Sequence, residues 1–148
     1  MKIIIGSDHA GFELKIKLLG EISKLGCDVK DIGCFNTMPV DFPDIAKLVC
    51  QEVLDGKADR GIMFCGTGVG ACIACNKVSG IRASVCHDIY TAHQCVEHDD
   101  VKIICLGAQI IGHTAALELI DLFLKAKFST SEEFRRRVKK LDMMDKNN

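Results

Sequence analysis

The sequence predicts an α/β domain in which a five-stranded parallel sheet is covered by helices on both faces. Short, almost continuously apolar segments of strand length, such as residues 2–6 and 61–65, alternate with amphipathic segments of helix length. Strands that lack polar alternation are typical of a buried parallel sheet. The 148 residues fit one domain, 1–148, and neither a linker nor a repeat divides them. The alternation of the two segment types therefore predicts a three-layer α/β/α sandwich.

Each predicted element has its own local signal. The helix over 12–25 places Leu14, Leu18 and Ile22 on one face, and its lysines lie elsewhere. The strand over 28–32 carries charges and is predicted at an edge of the sheet, while Pro43 begins a helix that runs to about residue 54. The remaining strands are predicted over 81–86 and 101–106, and the remaining helices over 71–78, 89–97, 112–127 and 131–144.

The charge balance and hydropathy give no basis for nucleic-acid or membrane binding. The net charge is −1, whereas binding to nucleic acid or to an anionic membrane requires a clear excess of positive charge. No apolar segment approaches the roughly 20 residues that span a bilayer. The three apolar residues after Lys2 are too few for a signal peptide. We therefore expect a soluble, cytoplasmic protein.

The nine cysteines are expected to be reduced thiols. Their number is odd and many lie within apolar segments, as small buried hydrophobic residues do. The cytosol also keeps thiols reduced. Cys72 and Cys75 form a C-x-x-C pair, which is also found in redox and zinc proteins. A second such pair is absent and this one falls inside a predicted helix, so we predict no metal site and keep a redox or zinc protein as an alternative.

The strongest functional feature is the loop that follows the third strand. Cys65 ends that strand and leads into residues 66–70, where three glycines alternate with Thr67 and Val69. Glycines allow backbone N–H groups to approach a ligand, and the first turn of the next helix favours negative charge. A thiol and a hydroxyl beside such a cradle indicate an active site, although the glycines alone would fit a simple strand-to-helix turn.

Polar residues also follow other strands at the edge where parallel sheets bind ligands. Asp8 suits both catalysis and capping of the next helix. His98 lies between the fourth helix and the fifth strand, at the opposite edge, so its use in the same site requires another subunit. The sets at the ligand-binding edge are Ser7-Asp8-His9, residues 65–70 and His87-Asp88.

Together these features resemble the type B ribose-5-phosphate isomerases and the related galactose-6-phosphate and allose-6-phosphate isomerase subunits. The matching motifs occur in the family's order over nearly the whole chain. They are GSDHAGF at 6–12, DFP at 41–43, CGTGVG at 65–70, NK at 76–77, GIRA at 80–83, HDD at 98–100 and LG at 106–107.

The resemblance implies a Rossmann-like sandwich with strand order 2-1-3-5-4 that works without a metal or organic cofactor. It also implies a homodimer with active sites at the interface, with a tetramer left open and the C-terminal helix (131–144) packed on the partner. The reaction implied is reversible interconversion of an aldose phosphate and a ketose phosphate, with ribose 5-phosphate as the leading substrate.

The same resemblance implies roles for individual residues. Cys65 would be the base that forms an enediolate, because Ala71 stands where another branch of the family has a glutamate. Thr67 and the loop N–H groups would stabilise the enediolate oxygen, and Asp8 and His98 would move hydroxyl protons. His9 and a C-terminal arginine would contact phosphate. The substrate-binding residues implied are His9, Gly66, Gly68, Val69, Gly70, Asp99 and Arg137.

Several positions depart from the family pattern and bear on the substrate. Asp99 replaces a common asparagine, and Gln109 and Glu133 each replace an arginine. Arg137 matches the second C-terminal arginine. The alternatives are therefore an isomerase of another sugar, either a six-carbon phosphate or a free aldose, and a sugar-phosphate-binding protein without catalysis. The residues that could replace the first C-terminal arginine are Arg135 and Arg136.

Overall fold

The computed structural model describes residues 1–146, so the last two residues of the predicted domain lie outside it. The strands are β1 (Lys2–Ser7), β2 (Asp28–Asp31), β3 (Arg60–Cys65), β4 (Ala83–Val85) and β5 (Ile103–Gly107). The helices are α1 (Phe12–Lys24), α2 (Phe42–Leu54), α3 (Val69–Asn76), α4 (Ile89–Asp99), α5 (His113–Lys125) and α6 (Glu132–Lys146).

The strands form one parallel sheet in the order β2-β1-β3-β5-β4. This confirms the Rossmann-like α/β/α fold and the strand order implied by the resemblance, and it places β2 at an edge as predicted. The parallel register pairs Ser7 with Phe64 and Cys65 with Gly107. The carboxyl ends of the three central strands therefore meet at one edge of the sheet, which we call the carboxyl edge.

Two apolar layers, one on each face of the sheet, form the core because successive strand residues point to opposite faces. On one face, Ile5, Phe64 and Leu106 pack against α1, α4 and α5. On the other, Ile4 and Met63 pack against α2 and α3. Each of these side chains is fully or almost fully buried, which contributes roughly 1.5–3 kcal/mol per residue.

Some element boundaries differ from the predicted ones. Helix α3 begins at Val69, two residues early, and β4 is confined to 83–85. Helix α4 continues to Asp99, so His98 and Asp99 lie in its last turn and not between elements. The helix ends because Asp100 adopts a left-handed conformation, with φ of 50°.

Helix α6 packs against α4 of its own chain. The Asp145 carboxylate accepts hydrogen bonds from the Ser79 hydroxyl and the Gly80 amide, and Arg82 bonds Asp142 at 2.6 Å. These contacts fix the end of the helix near the start of β4. Its packing on a partner subunit stays a prediction. Within residues 1–146, no helix is both long and apolar enough to cross a membrane.

Candidate active site

The fold brings Cys65 and Asp8 together at the carboxyl edge. Cys65 ends β3, Asp8 follows β1 directly, and both side chains are buried. The Cys65 thiol donates a hydrogen bond to Asp8 Oδ2 over 2.9 Å. The other carboxylate oxygen accepts from the Gly11 amide, also over 2.9 Å. One oxygen of Asp8 therefore closes the turn before α1 and the other holds the thiol, while its part in catalysis stays a prediction.

The loop after Cys65 has the geometry of an anion cradle. Gly68 has φ of +81°, a left-handed conformation that a side chain would strain, and it precedes the first turn of α3. The Cys65 sulfur interacts with the backbone N–H groups of Gly68 and Ala71. The Thr67 hydroxyl accepts from the Val69 amide at 3.3 Å. Sulfur and hydroxyl thus lie beside N–H groups that have no partner within the helix.

Two opposing effects act on the Cys65 thiol. Burial, the largest effect, and the bond to Asp8 raise its pKa, because the thiolate would lose hydration and face a carboxylate. The N–H groups of Gly68 and Ala71 lower it, but the net shift is upward. The thiol is therefore protonated near neutral pH while Asp8 is its partner. A bound group that draws the Asp8 carboxylate away from the sulfur, or neutralises its charge, would lower the pKa of the thiol.

His9 lies on the same edge and is held by the loop between β2 and α2. Its Nδ1 accepts from the Val40 amide at 3.2 Å. A neutral His9 therefore carries its proton on Nε2, which is available to donate to a substrate oxygen. Gln109 also belongs to this edge, because its backbone N–H donates to the carbonyl of Gly66 at 2.9 Å.

Lys15 corrects one sequence prediction, since it is fully buried although its position in the helical pattern is polar. Its ammonium donates to both carboxylate oxygens of Asp31, at 2.7 and 2.9 Å, and to the carbonyl of Cys34. These three acceptors satisfy the three N–H groups of the ammonium, which makes burial of the charge tolerable. The bonds fasten the loop after β2 next to the end of β1. Periodicity could not reveal this, because the acceptors come from distant parts of the chain.

His87 and Asp88 make different contacts at the carboxyl edge. The sequence predicts both at this edge without assigning them separate roles. Asp88 caps α4, accepting from the Thr91 amide at 2.8 Å. His87 Nε2 instead accepts from the backbone amide of Gly107 at 2.8 Å. Burial lowers the pKa of His87, and the nearby Asp88 carboxylate acts in the opposite direction.

His98 and Arg137 come together, but not with Cys65. Helix α4 returns toward the start of β5, so its last turn lies at the amino edge of the sheet. The His98 ring stacks on Phe134 of α6 with centroids 3.9 Å apart, and Gln94 Nε2 lies 2.8 Å from His98 Nδ1. Arg137 lies 5.8 Å from the same phenyl ring and bonds Glu133 at 2.5 Å. His98 and Arg137 thus form one cluster, which lies at the opposite edge of the sheet from the Cys65 thiol of the same chain.

Asp99 lies beside this cluster, and its backbone carbonyl accepts from Arg82 Nε at 2.8 Å. Arg82 also binds the Asp100 carboxylate at 3.0 Å and Asp142 of α6. One guanidinium therefore joins the end of α4 to α6. Local sequence patterns do not indicate this role, because the partners of Arg82 are distant in the chain.

The C-x-x-C pair lies within α3, as expected. Cys75 is buried, and the partly exposed Cys72 donates to the carbonyl of Ala83 at 3.5 Å. Among residues 1–146, no group of three or more His, Cys, Asp or Glu side chains is arranged to hold a metal ion.

A glycine-lined anion cradle with a buried thiol and carboxylate thus lies at the carboxyl edge of this sheet. Residues 3–141 match the Ribose/Galactose Isomerase family, and the chain belongs to it. The chain is therefore an isomerase.

Two relatives and one solved structure are similar to this chain over most of its length. Ribose-5-P isomerase B of Listeria innocua is 39% identical over 145 residues, covering 98% of this chain and 95% of the relative. D-erythrulose-4-phosphate isomerase of Pectobacterium atrosepticum is 40% identical over 130 residues, covering 86% and 85%. The structure of Clostridium thermocellum ribose-5-phosphate isomerase B superposes with a TM-score of 0.96 at 43% identity, covering 99% of both chains.

Proposed function

We propose that this protein interconverts ribose 5-phosphate and ribulose 5-phosphate through an enediolate, without a cofactor. The observation that carries the proposal is the Cys65 thiol, which lies 2.9 Å from the Asp8 carboxylate and against the N–H groups at the start of α3. A base next to an anion cradle is what an aldose-ketose isomerisation needs, because a proton must leave a carbon while negative charge grows on the neighbouring oxygen.

The proposed reaction follows from this arrangement. The Cys65 thiolate removes the proton from C2 of the open aldose, and the electron pair of that C–H bond forms the C1–C2 double bond. The carbonyl electrons move to the oxygen, which becomes the enediolate oxygen held by Thr67 and the N–H groups of the loop 66–70. Return of that proton to C1, with transfer of the hydroxyl proton from O2 to O1 and formation of the C=O bond at C2, gives the ketose.

Asp8 is proposed to govern the proton of the thiol and those of the substrate hydroxyls. Its Oδ2 accepts the hydrogen bond of the thiol, and the raised pKa keeps Cys65 protonated, a form that cannot act as a base. A substrate hydroxyl that donates to Asp8 would weaken this bond, the thiol proton would pass to water, and the backbone N–H groups would favour the thiolate that remains. Binding of the sugar would thereby activate the base.

We propose that His98 and Arg137 reach the site from the partner of a homodimer. Their own Cys65 lies at the opposite edge of the sheet, so a second copy is needed to bring the groups together. An apolar surface around the carboxyl edge supports this, since each of its side chains is at least half exposed in the single chain. Covering such a surface is favourable. The surface comprises Phe35, Met38, Val69, Ile73, Tyr90 and Ile110.

The substrate choice rests on the phosphate contacts. Arg137 is paired with Glu133 at 2.5 Å, and Arg136 with Glu132 at 2.9 Å, while Arg135 lies over the ring of Phe128. The bond to Glu133 favours a second candidate function, the isomerisation of another sugar whose binding depends less on a phosphate group. The reason is that this carboxylate neutralises the charge of Arg137, the proposed phosphate contact. The relative named for D-erythrulose 4-phosphate shows that another substrate occurs among the similar proteins.

The test is isomerisation of a panel of sugars by the purified protein treated with a chelator. The panel contains ribose 5-phosphate, six-carbon and four-carbon aldose phosphates, free ribose and free allose. We expect the largest kcat/KM for ribose 5-phosphate. A larger value for another sugar would replace the substrate while keeping the chemistry, and binding of a sugar phosphate without turnover would show a non-catalytic binding protein. Loss of activity on chelation would show that the reaction needs a metal. The cytoplasmic location of the protein stays a prediction.

A further inference from the structure

The hydrogen bond between His87 and Gly107 lies directly behind the anion cradle. Gly107 is the last residue of β5 and is the register partner of Cys65. On its other side β4 has already ended at Val85, so no strand continues alongside to accept the Gly107 N–H. His87 Nε2 takes that place at 2.8 Å. The side chain thus satisfies a buried backbone donor that would otherwise lose its hydrogen-bond partner.

The Gly107 peptide in turn supports the loop that carries Thr67. A Cβ on Gly107 would lie 2.6 Å from the carbonyl oxygen of Thr67, and one on Gly68 would lie 3.3 Å from the nitrogen of Gly107. The loop is therefore in direct contact with the end of β5. Any rotation of the Gly107 peptide would move Thr67 and Gly68, because no space separates the two segments.

We propose that His87 is a positioning residue for the isomerisation, which acts as a neutral imidazole protonated on Nδ1 and fixes the Gly107 peptide under the Thr67 loop. This inference rests on the proposed function of that loop as the enediolate cradle. It assigns no contact with the substrate to His87. Its role is to hold the N–H groups of the cradle in one orientation before charge develops.

The role depends on the protonation state, since only a neutral imidazole has a nitrogen that can accept a hydrogen bond. Burial favours the neutral ring, while Asp88, the charged neighbour from the same loop, favours the protonated one. Protonation at low pH would place an N–H against the Gly107 N–H and release the peptide. Activity should therefore fall on the acidic side with the titration of His87.

The kinetic test compares His87→Ala with His87→Gln and with the control His93→Ala. His93 is a partly exposed histidine of α4 whose partner is Glu97. For His87→Ala we expect kcat to fall about 10- to 100-fold, as for a small misplacement of catalytic groups, with KM nearly unchanged. Gln can place an oxygen near the position of Nε2 and should recover part of kcat, and it should remove the acidic limb of the pH profile. Unchanged kcat in His87→Ala would overturn the proposal.

A second test by NMR needs no turnover. We expect the ¹⁵N shifts of His87 to report a proton on Nδ1, and the Gly107 amide to be protected from exchange. In His87→Ala that protection should be lost and the amide signals of Thr67 and Gly68 should move, whereas His93→Ala should leave them in place. A proton on Nε2, or unmoved Thr67 and Gly68 signals, would overturn the positioning role. If the wild type turns over no sugar, the proposed function fails, and these signals still decide the role of His87.

Discussion

Replacement of Cys65 by alanine is the most direct test of the chemistry. The side chain of Cys65 ends in the sulfur that donates to Asp8, so Cys65→Ala removes the proposed base and little else. We expect turnover of the preferred sugar phosphate to fall at least 10²- to 10⁴-fold, the usual contribution of a positioned acid or base. Cys65→Ser should lose as much, because a serine hydroxyl can still donate to Asp8 but is a far weaker base at neutral pH.

The expected losses of activity and of stability differ enough to be separated. The loss of turnover corresponds to about 3–5 kcal/mol in the activation barrier. The folded state loses one small buried group and one hydrogen bond, which is worth about 1–2 kcal/mol. For a domain of this length, that lowers the melting temperature by only a few degrees, since 1 kcal/mol corresponds to roughly 2–4 °C. An assay at 25 °C therefore measures folded protein in each variant.

Cys105→Ala is the matched control. Cys105 is fully buried and belongs to the same apolar layer as Cys65, so its loss should cost similar stability while turnover stays near that of the wild type. Initial rates of ketose formation and thermal melts of the three variants provide the comparison. The reasoning is refuted if Cys65→Ala turns over substrate within a few-fold of the wild type, because Cys65 would then not be the base.

Three further substitutions test other parts of the structure. Asp8→Asn should lower the pKa of the Cys65 thiol, because it removes the charge that helps to raise it. Alkylation by iodoacetamide needs the thiolate, so it should be faster at a given pH, and the midpoint of its pH dependence should move to lower pH. Glu133→Gln should release Arg137 from its partner and lower KM for phosphorylated sugars by at most about fivefold, since an exposed pair is worth up to ~1 kcal/mol, with no change for free sugars. Gly11→Ala should destabilise the protein by about 1–3 kcal/mol or more in urea unfolding, because its Cβ would lie 2.3 Å from the backbone of β3.

Each of these substitutions has a control in the same chain. Asp121→Asn changes a carboxylate that pairs with a lysine on α5 and should leave the alkylation rate alone. Glu132→Gln frees Arg136 from an equivalent pair, and an equal drop in KM would mean that general charge, not Arg137, binds phosphate. Gly20 lies in α1 with open space around it, so Gly20→Ala should stabilise the helix by about 0.5–1 kcal/mol. A stable Gly11→Ala variant would contradict the close approach of α1 to β3.

The sequence was sufficient for the fold because the signals that specify it are local. Apolar segments such as 61–65 and helical patterns such as Leu14, Leu18 and Ile22 depend on residues a few positions apart, and the observed elements follow them closely. The alternation of strands and helices then leaves few possible topologies. The glycine loop after Cys65 was also visible, since its meaning depends on adjacent residues, and its resemblance to a known family supplied the strand order.

Only the tertiary structure decided which distant groups meet, because such contacts depend on where separate elements end in space. It joined Cys65 to Asp8, which are 57 positions apart, and raised the pKa of the thiol through burial and that contact. It buried Lys15 among acceptors from another segment, although the helical pattern made it a surface residue. It also gave His87 a backbone partner 20 residues away, a bond that forms because β4 ends before β5 does and leaves one amide for a side chain to satisfy.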